Sequence, residues 1–151
     1  MKAAGSNERA LIRRLFLRRR AHDEGVEVAN GDDASVHTLP EGMALAVSCD
    51  AALAGSHWPR GFDLEQAAER AVQAAFSDLA AMGASARWCW SALMAADAAA
   101  LTALGRGVRA GCGRIGAVLV GGDCVRSRVN GVSLTVAGLL PTGSAMRRDA
   151  A

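Results

Sequence analysis

From Asp63 to Gly83 the chain keeps one apolar stripe at helical spacing, with Leu64, Ala68, Val72, Ala75, Leu79 and Met82 on one side of a cylinder. Asp63 and Gln66 make a capping-box pair at its start, and Gly83 is the natural stop. Such a helix must be covered along its stripe. Four short apolar runs can do this: residues 43–48 (MALAVS), 86–94 (ARWCWSALM), 115–120 (IGAVLV) and 132–140 (VSLTVAGLL). Each is strand-sized and bounded by turn residues. Asp97 can cap a further helix through Leu101, Leu104 and Val108, although Gly105 and Gly107 each cost it about 1 kcal/mol relative to Ala. Residues 7–20 read as a short amphipathic helix with Asn7 as its cap, and residues 25–42 read as loop. Asn130-Gly131 reads as a hairpin-like turn between the last two strands. The expectation is an α+β fold, a four-stranded and mostly antiparallel sheet with helices on one face. The other face would be bare in a single copy, which predicts a dimer that buries it.

The chain has 151 residues, 51% of them apolar, which suits one domain over residues 1–151 and excludes intrinsic disorder of its body. A net charge of +2 gives no ground for nucleic-acid binding, and the six arginines of the first twenty positions read as a solvated helix face. No apolar run approaches the ~20 residues needed to cross a bilayer. The four cysteines contain no C-x-x-C pair, so neither a disulfide framework nor a zinc site is expected and a reducing, cytoplasmic setting is.

The aspartates stand at instructive places. Asp32 and Asp33 lie in a Gly-led loop, Asp50 ends an apolar run, Asp78 is near the end of the long helix, and Asp123 follows two glycines. Each alone has an ordinary explanation in a turn, a cap or an exposed helix position. Several converging carboxylates would repel one another unless cations neutralised them, and Mg2+, which takes oxygen ligands and leaves positions for phosphate, suits such a set. Phosphoryl transfer uses this arrangement. The glycines at 31, 121 and 122 can let backbone amides approach phosphates, although neither Gly segment is a Walker A or G-x-G-x-x-G loop.

Gly31-Asp32-Asp33-Ala34, Ala46-Val47-Ser48-Cys49-Asp50, Gly55-Ser56-His57-Trp58, residues 76–84 (FSDLAAMGA) and Val120-Gly121-Gly122-Asp123 follow one another in a particular order and spacing. In this the chain resembles the thiamine-monophosphate kinases over roughly residues 7–151, with SDLAAMGA the most specific block. The wider aminoimidazole-ribonucleotide synthetase-like superfamily shares the general plan. The resemblance implies transfer of the ATP γ-phosphate to thiamine monophosphate, giving thiamine diphosphate, with this chain supplying the ATP and Mg2+ half. It implies Asp33, Asp50, Asp78 and Asp123 as Mg2+ ligands, and Ser48 and Cys49 as neighbours touching metal through hydroxyl or main-chain oxygen. It further implies His57 as a substrate contact, Gly122 and Asp123 as an ATP-contacting pair, and Arg148 on the ATP phosphates. The same resemblance implies a homodimer through the sheet. No covalent intermediate is implied, so Ser77 and Cys89 are not nucleophiles and no catalytic residue is assigned.

The chain departs from the family pattern at several positions. Cys49 replaces a usual Thr, Ala75 stands where Asn is usual, Cys124 stands where Thr commonly follows the G-G-D, and Tyr is absent. The sequence stops at Asp149-Ala150-Ala151, about where the family continues into a second α/β domain, so that domain is expected to be absent or supplied separately. Two other functions fit the same residues: a non-catalytic nucleotide-binding module, and a kinase or synthetase of the superfamily with a different small acceptor.

Overall fold

A computed structural model of the chain describes residues 25–29 and 31–150. Two short strands, β1 (Val26–Val28) and β2 (Val36–His37), pair with each other. There follow β3 (Met43–Leu53), α1 (Leu64–Ala81), β4 (Ser85–Ala95), α2 (Ala98–Ile115), β5 (Val118–Arg126) and β6 (Gly131–Pro141). The helix expected over residues 7–20 lies outside the described residues.

The large sheet has the order β3-β6-β4-β5, with β6 antiparallel to both neighbours and β4 parallel to β5. Both helices cover one face. Ala52, Cys89, Leu93, Cys124, Val132, Leu134 and Val136 of the sheet meet Ala68, Val72, Ala75, Leu79, Leu104 and Val108 of the helices in one buried cluster. The fold is therefore α+β with a mostly antiparallel four-stranded sheet, as expected. The helix ends follow from the sequence as well. Asp63 accepts from the Gln66 amide at 2.8 Å and Asp97 from the Ala100 amide at 2.8 Å. Gly83, at φ +77°, closes α1, with the Ala84 amide returning to Leu79 O and the Gly83 amide to Ala80 O.

Four local expectations are corrected. Residues 25–42 are not all loop, because β1 and β2 form there; strands this short carry no periodicity to read. They lie on the face expected to be bare, where the His37 ring packs 4.2 Å from Trp88 and 5.3 Å from Trp90. Trp88 and Trp90 do share that face, and Trp88, Val120, Ala137 and Leu139 form a second small core there. The run 115–120 is split: Ile115 ends α2, Gly116 caps it in the left-handed region, and β5 continues past Gly121-Gly122 to Arg126. Finally, Asn130-Gly131 does not close a hairpin between β5 and β6, because β4 lies between them.

Candidate active site

β3 runs on past residue 48 to Leu53, so Ser48, Cys49 and Asp50 sit within a strand and alternate across it. Ser48 and Asp50 share the helix-covered face with Ala46 and Ala52, both of which join the main core. Cys49 points to the other face, is exposed, and receives the Thr135 hydroxyl at 3.9 Å from its sulfur. Only its main chain can serve a site on the Ser48 side.

Asp78 lies on the exposed side of α1, and its Oδ2 accepts a hydrogen bond from the Ser48 hydroxyl at 3.1 Å. This bond joins two of the segments singled out in the sequence, AVSCD on β3 and SDLAAMGA on α1. Asp50 Oδ1 accepts the Ala51 amide at 2.8 Å. Ala75, one helical turn before Asp78, is completely buried, so the Asn usual there would put an amide into apolar packing. Cys124 is likewise a core residue.

Asp123 is on β5, where its Oδ1 accepts the Cys124 amide at 2.8 Å. Cys124 faces the helices, so Asp123 faces away from them, and Gly122 precedes it with Ser91 as its cross-strand partner. Asp33 is exposed, and its amide donates to Asp32 Oδ1 at 3.0 Å. Its segment is fastened to the same open face through Ser35, whose Oγ receives the Trp90 indole N–H at 2.8 Å. Gly121 lies against that indole: a Cβ there would stand 2.5 Å from Trp90 Cδ1, so this glycine is required by packing alone.

The acids thus fall into two groups. Asp50 and Asp78, with Ser48 beside them, are on the helix side at the β3 edge, and Asp123 is on the open side, as is the segment that carries Asp33. β3 and β5 are the opposite edges of the sheet, three strand spacings or about 14 Å apart. Among the described residues, no three His, Cys, Asp or Glu side chains come close enough to hold one metal ion.

His57 is exposed in the loop after β3. Its Nδ1 accepts the Leu53 amide at 3.1 Å, which places the neutral ring's proton on Nε2 and makes that nitrogen a donor. The Met146 amide donates to Met82 O at 3.1 Å, fastening the segment after β6 to the end of α1 that carries Asp78. Arg148 follows two residues on, exposed at the start of a 3-10 turn (Arg148–Ala150), while Arg147 is paired with Asp149 at 3.0 Å. Sequence reasoning did not single out Arg60, whose guanidinium lies against Gly55, two residues before His57; no residue spacing announces that contact.

The chain matches the family described as AIR synthase related protein, N-terminal domain, over residues 31–140. It is 35% identical over 146 residues to thiamine-monophosphate kinase of Salmonella typhimurium, an alignment covering 95% of this chain and 45% of that protein. Its structure is similar to the crystal structure of thiamine-monophosphate kinase from Stenotrophomonas maltophilia, with a TM-score of 0.74 and 30% identity over 91% of this chain and 42% of that one. AaThiL complexed with AMPPCP and TMP shares the fold, at TM-score 0.62 and 18% identity over 93% of this chain and 45% of that one. The chain spans about half the length of the relatives it matches.

Proposed function

We infer the function from one premise: this chain belongs to the AIR synthase related protein family, through that family's N-terminal domain. Its role is the ATP- and magnesium-binding half of a thiamine-monophosphate kinase, the activity named for the relatives it matches. The observation that carries this reading is the hydrogen bond from Ser48 to Asp78, because it brings two family-specific segments to one oxygen-rich point.

Ser48, Asp50 and Asp78 offer only hard oxygen ligands, which fits Mg2+. Bound there, the ion would neutralise charge on the transferring phosphate. Arg148 brings a fixed positive charge to the same end of α1, suited to ATP phosphate oxygens. His57 presents its Nε2–H to the acceptor phosphate and holds it for in-line attack. The acceptor is already largely deprotonated near neutral pH, so no general base is required.

Asp33 and Asp123 do not fit the same ion in the same chain, since they lie across the sheet from Asp50 and Asp78. We read them as completing a site shared between two copies. The part of that face not covered by β1 and β2 supports a dimer: Leu45 and Val47 on β3 are 45% and 57% exposed there. None of the four cysteines forms a disulfide among the described residues, which suits a reducing cytoplasm, and no described helix is long and apolar enough to cross a membrane.

The test follows product formation from ATP, Mg2+ and thiamine monophosphate by chromatography, with the chain alone and with a thiamine-monophosphate kinase second domain added. Thiamine diphosphate formed in either case supports the reading. ATP binding without product in both would favour a non-catalytic nucleotide module, and product only from another acceptor would favour a different superfamily enzyme.

A further inference from the structure

The loop after β3 is unusually well tied for a surface segment. The His57 amide donates to Leu53 O at 2.8 Å, the Gly55 amide to Trp58 O at 2.7 Å and the Phe62 amide to Pro59 O at 3.2 Å. Trp58 anchors the loop in the main core at 9% exposure, and its indole Nε1–H has no acceptor among the described residues. On this frame Gly55, at φ +86°, leaves the space that the Arg60 side chain fills. A Cβ at Gly55 would lie 3.3 Å from Arg60 Nε and 3.8 Å from its Nη2. The guanidinium is thereby laid across the loop that carries His57.

The charge around this loop is one-sided. The Ala54 amide donates to Asn130 O at 2.9 Å, so the β5–β6 connection adjoins it at the same end of the sheet. Residues 54–60 (AGSHWPR) and 126–130 (RSRVN) hold Arg60, Arg126, Arg128 and His57, and no acid. The acids that begin the two helices, Asp63 and Asp97, accept the Gln66 and Ala100 amides as caps. A preorganised loop whose cations outnumber its one acid, the cap Asp63, is suited to receive an anion.

We propose that Arg60 and His57 form a two-point clamp for the monoester phosphate of the acceptor, with Arg60 the residue that selects phosphorylated over unphosphorylated acceptor. Arg126 and Arg128 supply the surrounding positive field. The assignment to the acceptor rests on the kinase reading above; the anion clamp itself does not.

The test is a titration of the 15N-labelled full chain, following the His57 side-chain resonances by NMR, with thiamine monophosphate, inorganic phosphate, thiamine and ATP as separate probes. Thiamine monophosphate and inorganic phosphate should shift His57 saturably, and thiamine should not. Arg60→Gln should weaken both phosphate titrations about tenfold or more while the remaining spectrum stays that of the folded chain, and Arg60→Lys should recover only part of the loss. No saturable shift, or an unchanged Kd in Arg60→Gln, would overturn the clamp. A tighter response to ATP than to thiamine monophosphate would overturn the acceptor assignment. The kinase reading fails separately, through loss of Mg2+-dependent ATP binding in the same sample while His57 still titrates with phosphate.

Discussion

Asp78 is exposed on α1 and, among the described residues, makes one side-chain hydrogen bond, from Ser48 at 3.1 Å, so the described fold depends on it little. Its carboxylate is the acid of the helix-side group that a bound cation would use most directly. Asp78→Asn keeps size and hydrogen bonding but removes the charge. We expect Mg2+-dependent ATP binding to fall by about tenfold or more, which is roughly 1.4 kcal/mol or greater, while stability changes by less than about 0.5 kcal/mol, as for other exposed sites. Isothermal titration calorimetry and a thermal melt of the same variant separate the two; unchanged binding would remove Asp78 from the site. The cysteines give a second prediction at this scale. A hydrogen bond with Cys112, reinforced by burial, pushes the Cys89 thiol well above its ordinary pKa. The native fold therefore holds a proton there that the unfolded chain gives up in alkali. The stability this thiol contributes is complete below its unfolded pKa and is lost as pH rises through the native value. Iodoacetamide at pH 8 should thus modify Cys49, which is exposed, and leave Cys89, Cys112 and Cys124 untouched until denaturant is added, as read by mass spectrometry.

The pairing of α1 with α2 shows what helix propensity alone misses. Gly107 weakens α2 by intrinsic propensity, yet the two helices meet there: a Cβ at Gly107 would lie 2.1 Å from Glu65 O, and one at Gly111 would lie 2.8 Å from Val72 Cβ. Arg106 on α2 pairs with Glu65 of α1 at 2.7 Å, and Arg114 pairs with Glu69. Gly107→Ala should cost about 1–3 kcal/mol through overpacking, despite the propensity gain of about 1 kcal/mol. Gly113 has open space at its Cβ position, and Gly113→Ala should stabilise by up to about 1 kcal/mol. Urea denaturation of the two variants should give opposite signs; a stabilised Gly107→Ala would refute the close approach. Helix existence and both N-caps were legible because periodicity and capping are local. The β1–β2 pair was not, since its strands are too short to carry a periodicity and are held by pairing with each other and packing on Trp88 and Trp90. The reach of β5 beyond Gly121-Gly122 was hidden for a similar reason: those glycines read as a stop, whereas one of them admits the Trp90 ring.

At the scale of the whole molecule, the sequence supplies the acids in order but not the sheet order that separates them. A linear reading gathers Asp33, Asp50, Asp78 and Asp123 into one cluster because all four border apolar segments. The topology β3-β6-β4-β5 instead puts Asp50 and Asp123 on opposite edges, and strand alternation turns them to opposite faces. Mg2+ binds oxygen at about 2.1 Å, so carboxylates on opposite faces of strands about 14 Å apart cannot share one ion within a chain. If all four serve one site, that site must draw Asp50 and Asp78 from one copy and Asp33 and Asp123 from another, reached around the β3 edge of a dimer formed through the exposed Leu45 and Val47. This has a consequence that a single-chain site lacks. Asp78→Asn and Asp123→Asn should each lose Mg2+-dependent ATP binding when pure. Mixed and allowed to exchange subunits, they should recover binding at about a quarter of all sites, because half of randomly formed two-fold dimers pair the two variants and each such dimer holds one intact site. Calorimetric stoichiometry on the mixture reads this directly. No recovery, with dimer exchange verified by light scattering and native mass spectrometry, would place Asp78 and Asp123 in independent roles and return the metal to Ser48, Asp50 and Asp78 alone.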